Sequence, residues 1–116
     1  MSNNQDVNIL EKIVKYCDEI VDANIEFGNS LDVLKTKSTY KNAVAMCILQ
    51  IGELTAYLSD DLKEKYSDMP WKDIKRMRNI VAHRYGSFDI EVLWDTVVND
   101  IPSLRGYCLE IIRKHD

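Results

Sequence analysis

The stretch YKNAVAMCILQIGELTAYL, residues 40–58, carries apolar residues three and four positions apart along almost its whole length. This spacing is typical of a helix with one buried face, and it predicts a long helix that starts near Ser38 or Thr39. The predicted buried face consists of Val44, Cys47, Ile48, Ile51, Leu54 and Leu58. Glycine inside a helix costs about 1 kcal/mol relative to alanine, so we expect a packing reason for Gly52, such as the close approach of another helix.

Comparable apolar stripes on both sides of this stretch predict three further long helices. They cover residues 6–27, residues 70–84 and a last segment that begins after Asp89 and that Pro102 should kink. Two short connecting helices are predicted at residues 31–37 and 60–66.

Residues with special backbone preferences stand where these helices begin and end. Gly28 and Asn29 tolerate the left-handed conformation that closes a helix, and Ser30 and Asp89 can cap the starts of the helices that follow them. Pro70 fits the first turn of a helix, where its missing N–H group is no loss.

The composition favours helices over a sheet, because 116 residues contain only four glycines and two prolines. A chain of this length is close to the usual size of one domain, and we expect a single helical domain over residues 1–116. The predicted fold class is all-α: an up-down bundle of four main helices plus one or two short helices.

The net charge of −4 argues against indiscriminate binding to nucleic acid or to an anionic membrane surface. The charge is unevenly distributed, since residues 71–85 sum to +4 and the remainder to −8. A local basic segment on an acidic body can meet a phosphate without making the whole protein bind nucleic acid indiscriminately.

The three cysteines, Cys17, Cys47 and Cys108, are widely spaced and lie among apolar residues at helical intervals. We expect buried, reduced thiols in a cytoplasmic protein and no metal site, because neither a Cys-x-x-Cys motif nor a histidine pair is present. The longest charge-free apolar run is far short of the ~18 residues that a membrane span requires, so no membrane association is expected.

The segment MRNIVAHRYG, residues 77–86, contains the side chains best suited to chemistry. Arg78 can hold phosphate oxygens in a bidentate manner, and His83 can exchange a proton near neutral pH. Asn79 can orient a neighbouring group through its amide. The competing interpretation is structural, since basic residues at a helix C-terminus complement the helix dipole and a tyrosine beside them can simply cover the core.

Helix geometry constrains how these residues could act together. On a continuous helix Arg78 and Tyr85 lie within about 20° of each other, whereas Arg78 and His83 are about 140° apart. Either the helix unwinds near His83, which Gly86 would permit, or a second subunit completes the site. RNA cleavage without a metal needs one group to remove a proton and another to supply one, and a symmetric dimer would bring two copies of His83 to one cleft. We therefore expect a homodimer through the helix predicted at residues 70–84.

The segments IGEL at residues 51–54 and MPWKDIKRMRNIVAHRYGSFDIEVLWDTVVNDIPSL at 69–104 resemble the HepT-like toxins of the HEPN superfamily. Members of this family are small helical ribonucleases that act as homodimers without a metal or another cofactor, using the motif R-x-x-x-x-H-x-Y. The resemblance implies that residues 1–116 form a HEPN-type domain and that Arg78 and His83 carry RNA cleavage, with Asn79 in support. Arg84 is a candidate phosphate contact.

The resemblance also implies a partner, a minimal nucleotidyltransferase (MNT) antitoxin of a type VII-like HEPN/MNT toxin–antitoxin module. That partner would neutralise the ribonuclease by transferring AMP to the motif tyrosine, Tyr85. The alternative is a non-catalytic helical subunit that binds RNA or the nucleotidyltransferase. Glu53 either faces a cleft or is a paired core carboxylate, and the spacing of Trp71 and Trp94 favours core packing over base stacking.

Overall fold

The computed structural model describes residues 4–84, 87 and 89–115, and within them helices joined by short turns account for all of the regular secondary structure, with no strand. The helices are α1 (Asn4–Glu26), α2 (Leu31–Thr36), α3 (Ser38–Ala56), α4 (Asp60–Lys65), α5 (Trp71–Arg84), α6 (Ile90–Asp95) and α7 (Ile101–His115). A π-helical turn, Thr96–Asp100, joins α6 to α7, so these three segments form one long helical unit. The all-α bundle of four main helices plus short connecting helices is therefore confirmed.

The main helices pack through the apolar stripes that the sequence predicts. Helix α3 contacts both α1 and α5, and α1 also contacts α7. Fully buried side chains from these helices form the core; among them are Leu10, Ile13, Val44, Ile51, Val81, Leu93, Leu104 and Ile111. Helix α3 thus lies at the centre of the bundle and determines where α5 sits.

The predicted helix ends are present with their capping contacts. Gly28 and Asn29 close α1 with φ angles of 84° and 51°, in the left-handed region. The side chains of Ser30 and Asp89 accept hydrogen bonds from backbone N–H groups in the first turns of α2 and α6. Helix α5 begins at Trp71, directly after Pro70.

Helix α1 extends two residues further towards the N-terminus than predicted, so that Asp6 lies inside it and is buried. Its carboxylate accepts hydrogen bonds from the backbone N–H of Ser59 at 2.9 Å and from the Ser59 hydroxyl at 2.6 Å. The same hydroxyl oxygen accepts the N–H of Leu62 and caps α4. This chain of contacts ties the start of α1 to the start of α4.

The disturbance predicted at Pro102 takes the form of the π-helical turn that precedes it. Proline cannot donate a backbone hydrogen bond and its ring crowds the carbonyl four residues earlier, here that of Val98. In the turn, the N–H of Ile101 bonds instead to the carbonyl of Thr96, five residues back. The wider turn accommodates the proline without ending the helical path.

The three cysteines are free and buried, as expected. Burial raises the pKa of Cys17 and of Cys108 to about 12, and that of Cys47 to about 11, because the thiolate would lose its hydration. These thiols are therefore packing groups and not nucleophiles. Within the described part of the chain, none of the helices combines the length and the apolar character needed to cross a bilayer.

Gly52 has the packing role that its position in α3 predicts. A Cβ atom at this position would overlap the Cβ and Cγ atoms of Arg78 on α5. The two helices can approach each other this closely only because residue 52 has no side chain. Gly106 in α7 provides a contrast, since a Cβ there would have no atom within 4 Å.

We predict that Gly52→Ala lowers the free energy of unfolding by about 1–3 kcal/mol, because the added methyl group must push α5 away from α3. The matched control, Gly106→Ala, should raise it by up to about 1 kcal/mol, the usual gain from helix propensity. Urea denaturation of both variants measures the difference. A Gly52→Ala protein more stable than the wild type would contradict the packing described here.

Candidate functional site

Arg78 lies on α5 against the backbone of α3, in the space that Gly52 leaves open. Its aliphatic carbons are held between the helices, and its side chain is 31% exposed. A long cationic side chain normally samples many rotamers, and this packing restricts them. The guanidinium group is therefore held in place at the surface of the α3–α5 contact.

Two polar neighbours bind the Arg78 guanidinium. Its Nη2 donates to the Oε1 atom of Glu53, forming an ion pair across the two helices. Its Nη1 donates to the Oδ1 atom of Asn79 at 3.1 Å. These contacts use two of the five N–H donors of the group, and the others have the planar geometry that suits an oxyanion such as a phosphodiester.

Glu53 is the member of this cluster for which the sequence left two alternatives open, a residue that faces a cleft or a paired core carboxylate. The structure shows a paired carboxylate that is also 44% exposed, so it lies beside Arg78 at the surface and not in the core. The signal available in the sequence was its place directly after Gly52, the residue at which α5 approaches α3. That signal identifies the contact but not which side chain of α5 would meet Glu53.

His83 is exposed, and α5 remains α-helical through Arg84. The helix therefore does not unwind before Arg84, and Gly86, the residue expected to permit unwinding, lies outside the described residues. On this continuous helix His83 is about 140° around the axis from Arg78 and about 7.5 Å further along it. One chain thus brings Arg78, Asn79 and Glu53 together and leaves His83 on another face of α5.

The remaining predicted site residues stand at the C-terminal end of α5. Arg84 is exposed in the last turn, and its carbonyl accepts the N–H of Ser87 at 2.8 Å. Tyr85 lies outside the described residues, so the face that it is expected to share with Arg78 stays a prediction.

The surface of α5 is basic. Its exposed cationic residues are Lys72, Lys75 and Arg76. The acidic residue among them is Asp73, whose Oδ1 atom forms an ion pair with Nη2 of Arg76 at 3.5 Å. An anionic ligand would therefore approach Arg78 along a positively charged helix. The described residues contain no group of three or more histidine, cysteine, aspartate or glutamate side chains placed to hold a metal ion.

Comparison with known proteins gives this geometry a context. The family model "Ribonuclease HepT-like" matches residues 8–111. The chain is 40% identical over 75 residues to "Probable ribonuclease HepT" of Thermococcus cleftensis, covering 65% of this chain and 67% of that protein. It is 37% identical over 92 residues to a Methanocaldococcus jannaschii protein named "Putative RNase", covering 77% and 75% of the two chains. No solved structure matches the chain.

The Glu53–Arg78 ion pair should be measurable as a coupling energy. A double-mutant cycle with Glu53→Gln and Arg78→Met should give about 0.5–1 kcal/mol, the range for partly exposed pairs. Urea denaturation of the four proteins supplies the values. The same cycle on Glu110 and Arg113, an exposed pair within α7, should give a smaller coupling. A value near zero for Glu53 and Arg78 would show that they are not paired in solution.

Proposed function

The chain belongs to the HepT-like family of ribonucleases, and we propose that it is a metal-independent endonuclease whose site combines Arg78 of one subunit with His83 of another. One observation carries this proposal: Glu53 and Asn79 hold the Arg78 guanidinium in place, while the continuous helix α5 places His83 on another of its faces. A symmetric dimer can bring to one cleft what a single α5 separates.

The proposed reaction needs no group beyond RNA and the protein. The ribose 2′-oxygen attacks the adjacent phosphorus, and the bond from phosphorus to the 5′-oxygen of the next nucleotide breaks. A base accepts the proton of the 2′-hydroxyl, and an acid donates a proton to the departing 5′-oxygen. The products are a 2′,3′-cyclic phosphate and a 5′-hydroxyl end.

Each residue of the cluster has a role in this reaction. Arg78 stabilises the negative charge that grows on the non-bridging phosphate oxygens. Glu53 and Asn79 position the guanidinium through their contacts with Nη2 and Nη1. His83 serves as base in one subunit and as acid in the other, and the exposed Arg84 contributes a further phosphate contact.

The face of α3 that carries Glu53 supports a contact with a second copy. Met46 and Tyr57 are 55% and 70% exposed. Met46, Gln50 and Glu53 lie within about 60° of one another on α3, and Tyr57 directly follows the last residue of that helix. Exposed apolar side chains beside the Glu53–Arg78 pair are a suitable surface for a dimer interface that also forms the cleft.

We further propose that the protein is the toxin of a cytoplasmic toxin–antitoxin module whose antitoxin is a minimal nucleotidyltransferase. The Tyr85 hydroxyl would lose its proton and attack the α-phosphorus of ATP, releasing pyrophosphate and leaving AMP on the tyrosine. If Tyr85 continues α5, the added phosphate lies on the Arg78 side of the helix and competes with RNA for the guanidinium. Support for this part comes from the resemblance to the family motif and from the position of Arg78.

Cleavage should proceed in EDTA and depend on both motif residues. We predict that Arg78→Ala and His83→Ala each reduce the cleavage rate of single-stranded RNA by at least about 100-fold. Arg113→Ala, which removes an exposed arginine on α7, should leave the rate unchanged. Gel analysis of a labelled RNA gives the rates, and end-group analysis should find cyclic phosphates.

The absence of cleavage by the unmodified protein would overturn the catalytic proposal, as would full activity of His83→Ala. If RNA binding persists in both motif variants while no RNA is cut, the non-catalytic regulatory subunit becomes the better interpretation.

Modification by the antitoxin should be visible as a change in mass. After co-expression with a minimal nucleotidyltransferase from the same genome, intact mass spectrometry should show one or more added AMP units. Tyr85→Phe should show none, because phenylalanine lacks the oxygen that attacks the nucleotide. An inactive complex of unmodified protein would show that neutralisation occurs through binding alone.

A further inference from the structure

A groove with a volume of about 550 Å³ opens between the C-terminal half of α3, the segment after α4 and the start of α5. Its apolar part is formed by Ala56, Met69, Pro70 and Trp71. Ligand pockets in proteins typically have volumes of about 300–1,000 Å³, so this groove is large enough for a nucleotide.

Trp71 gives the groove an aromatic wall. Its indole N–H donates to the carbonyl of Tyr66 at 3.1 Å, which fixes the orientation of the ring. The side chain packs against the core, as the sequence predicts, but it is only half-buried, so part of the indole stays exposed. A fixed, partly exposed indole is a suitable surface for stacking a nucleobase.

Three lysines line the same groove: Lys63 from α4, and Lys72 and Lys75 from α5. Asp73 is the acidic residue among the described lining residues, and its ion pair with Arg76 offsets its charge. The groove therefore combines an apolar wall with net positive charge. This combination fits a ligand that has an aromatic ring and a negatively charged backbone.

The groove leads towards the proposed cleavage site. Gly52 lines it and also contacts Arg78. On α5, Trp71, Lys75 and Arg78 lie within about 60° of one another, and Lys75 precedes Arg78 by about 4.5 Å along the axis. A strand whose phosphate is held by Arg78 can therefore continue into the groove.

We propose that this groove binds a nucleotide of single-stranded RNA next to the phosphate that is cleaved. The base stacks on Trp71, and Lys63, Lys72 and Lys75 pair with the flanking phosphates. The assignment of the neighbouring phosphate to Arg78 rests on the proposed function, whereas the groove as an RNA-binding surface can be tested without cleavage.

The first test is the salt dependence of binding, measured with a labelled uridine hexamer and the His83→Ala protein. Lys72→Gln combined with Lys75→Gln should weaken binding and reduce the slope of log K against log salt by about 1.4, since each phosphate contact contributes about 0.7 for single strands. The matched control removes two exposed lysines elsewhere, with Lys12→Gln and Lys37→Gln, and should leave the slope unchanged. Equal slopes for the two variants would overturn the proposal.

The second test isolates the base. In His83→Ala combined with Trp94→Phe, Trp71 is the remaining tryptophan, so its fluorescence reports directly on the groove. The uridine hexamer should quench this fluorescence and bind at least about fivefold more tightly than an abasic hexamer with the same phosphates. Equal quenching and affinity for the two oligomers would show that Trp71 does not stack on a base.

These outcomes separate the groove from catalysis. If the wild type cuts RNA while the groove variant binds and cuts like the lysine control, the groove proposal fails and the catalytic proposal stands. If the groove binds RNA as expected while the wild type cuts none, the catalytic proposal fails and the groove remains an RNA-binding surface.

Discussion

The close contact between Gly52 and Arg78 is the constraint on which the site depends. A glycine in the middle of α3 lets the aliphatic carbons of Arg78 lie against the helix backbone. This contact brings the guanidinium beside Glu53 and fixes the distance between α3 and α5. Gly52, where α5 comes close to α3, also lines the groove that Trp71 lines. The packing of α5, the position of the Arg78 guanidinium and one end of the groove thus depend on a residue without a side chain.

The continuity of α5 determines how the histidine can take part. Because the helix keeps its regular turn through Arg84, Arg78 and His83 point in different directions from the same axis. In a single chain, the Arg78 guanidinium and its partners lie on one side of α5, and the exposed His83 lies on another. The proposed function therefore draws on a second copy for the histidine, and it assigns the exposed Met46 and Tyr57 near Glu53 to the contact between the two copies.

Much of the fold could be predicted from the sequence, because apolar periodicity and capping residues are local signals. The need for a helix against Gly52 could also be predicted, since a buried glycine in a helix implies a close neighbour. The partner of Glu53 could not be predicted, because periodicity shows which face is buried but not which side chain on the next helix meets it. The groove beside Trp71 depends in the same way on tertiary packing. The disturbance at Pro102 could be predicted from the missing N–H group of proline, whereas its form, a π-helical turn, could not.

The most direct test of the account compares two mixed dimers that each contain one Arg78 and one His83. In the first, an Arg78→Ala chain pairs with a His83→Ala chain, so the arginine and the histidine come from different subunits. In the second, a wild-type chain pairs with a chain that carries both substitutions, so both residues come from the same subunit. With differently tagged chains purified as mixed dimers, the account predicts that both cleave RNA more slowly than the wild type, because each holds one His83 in place of two, and that the first cleaves faster than the second. A faster second dimer would show that Arg78 and His83 act within one chain and would contradict it.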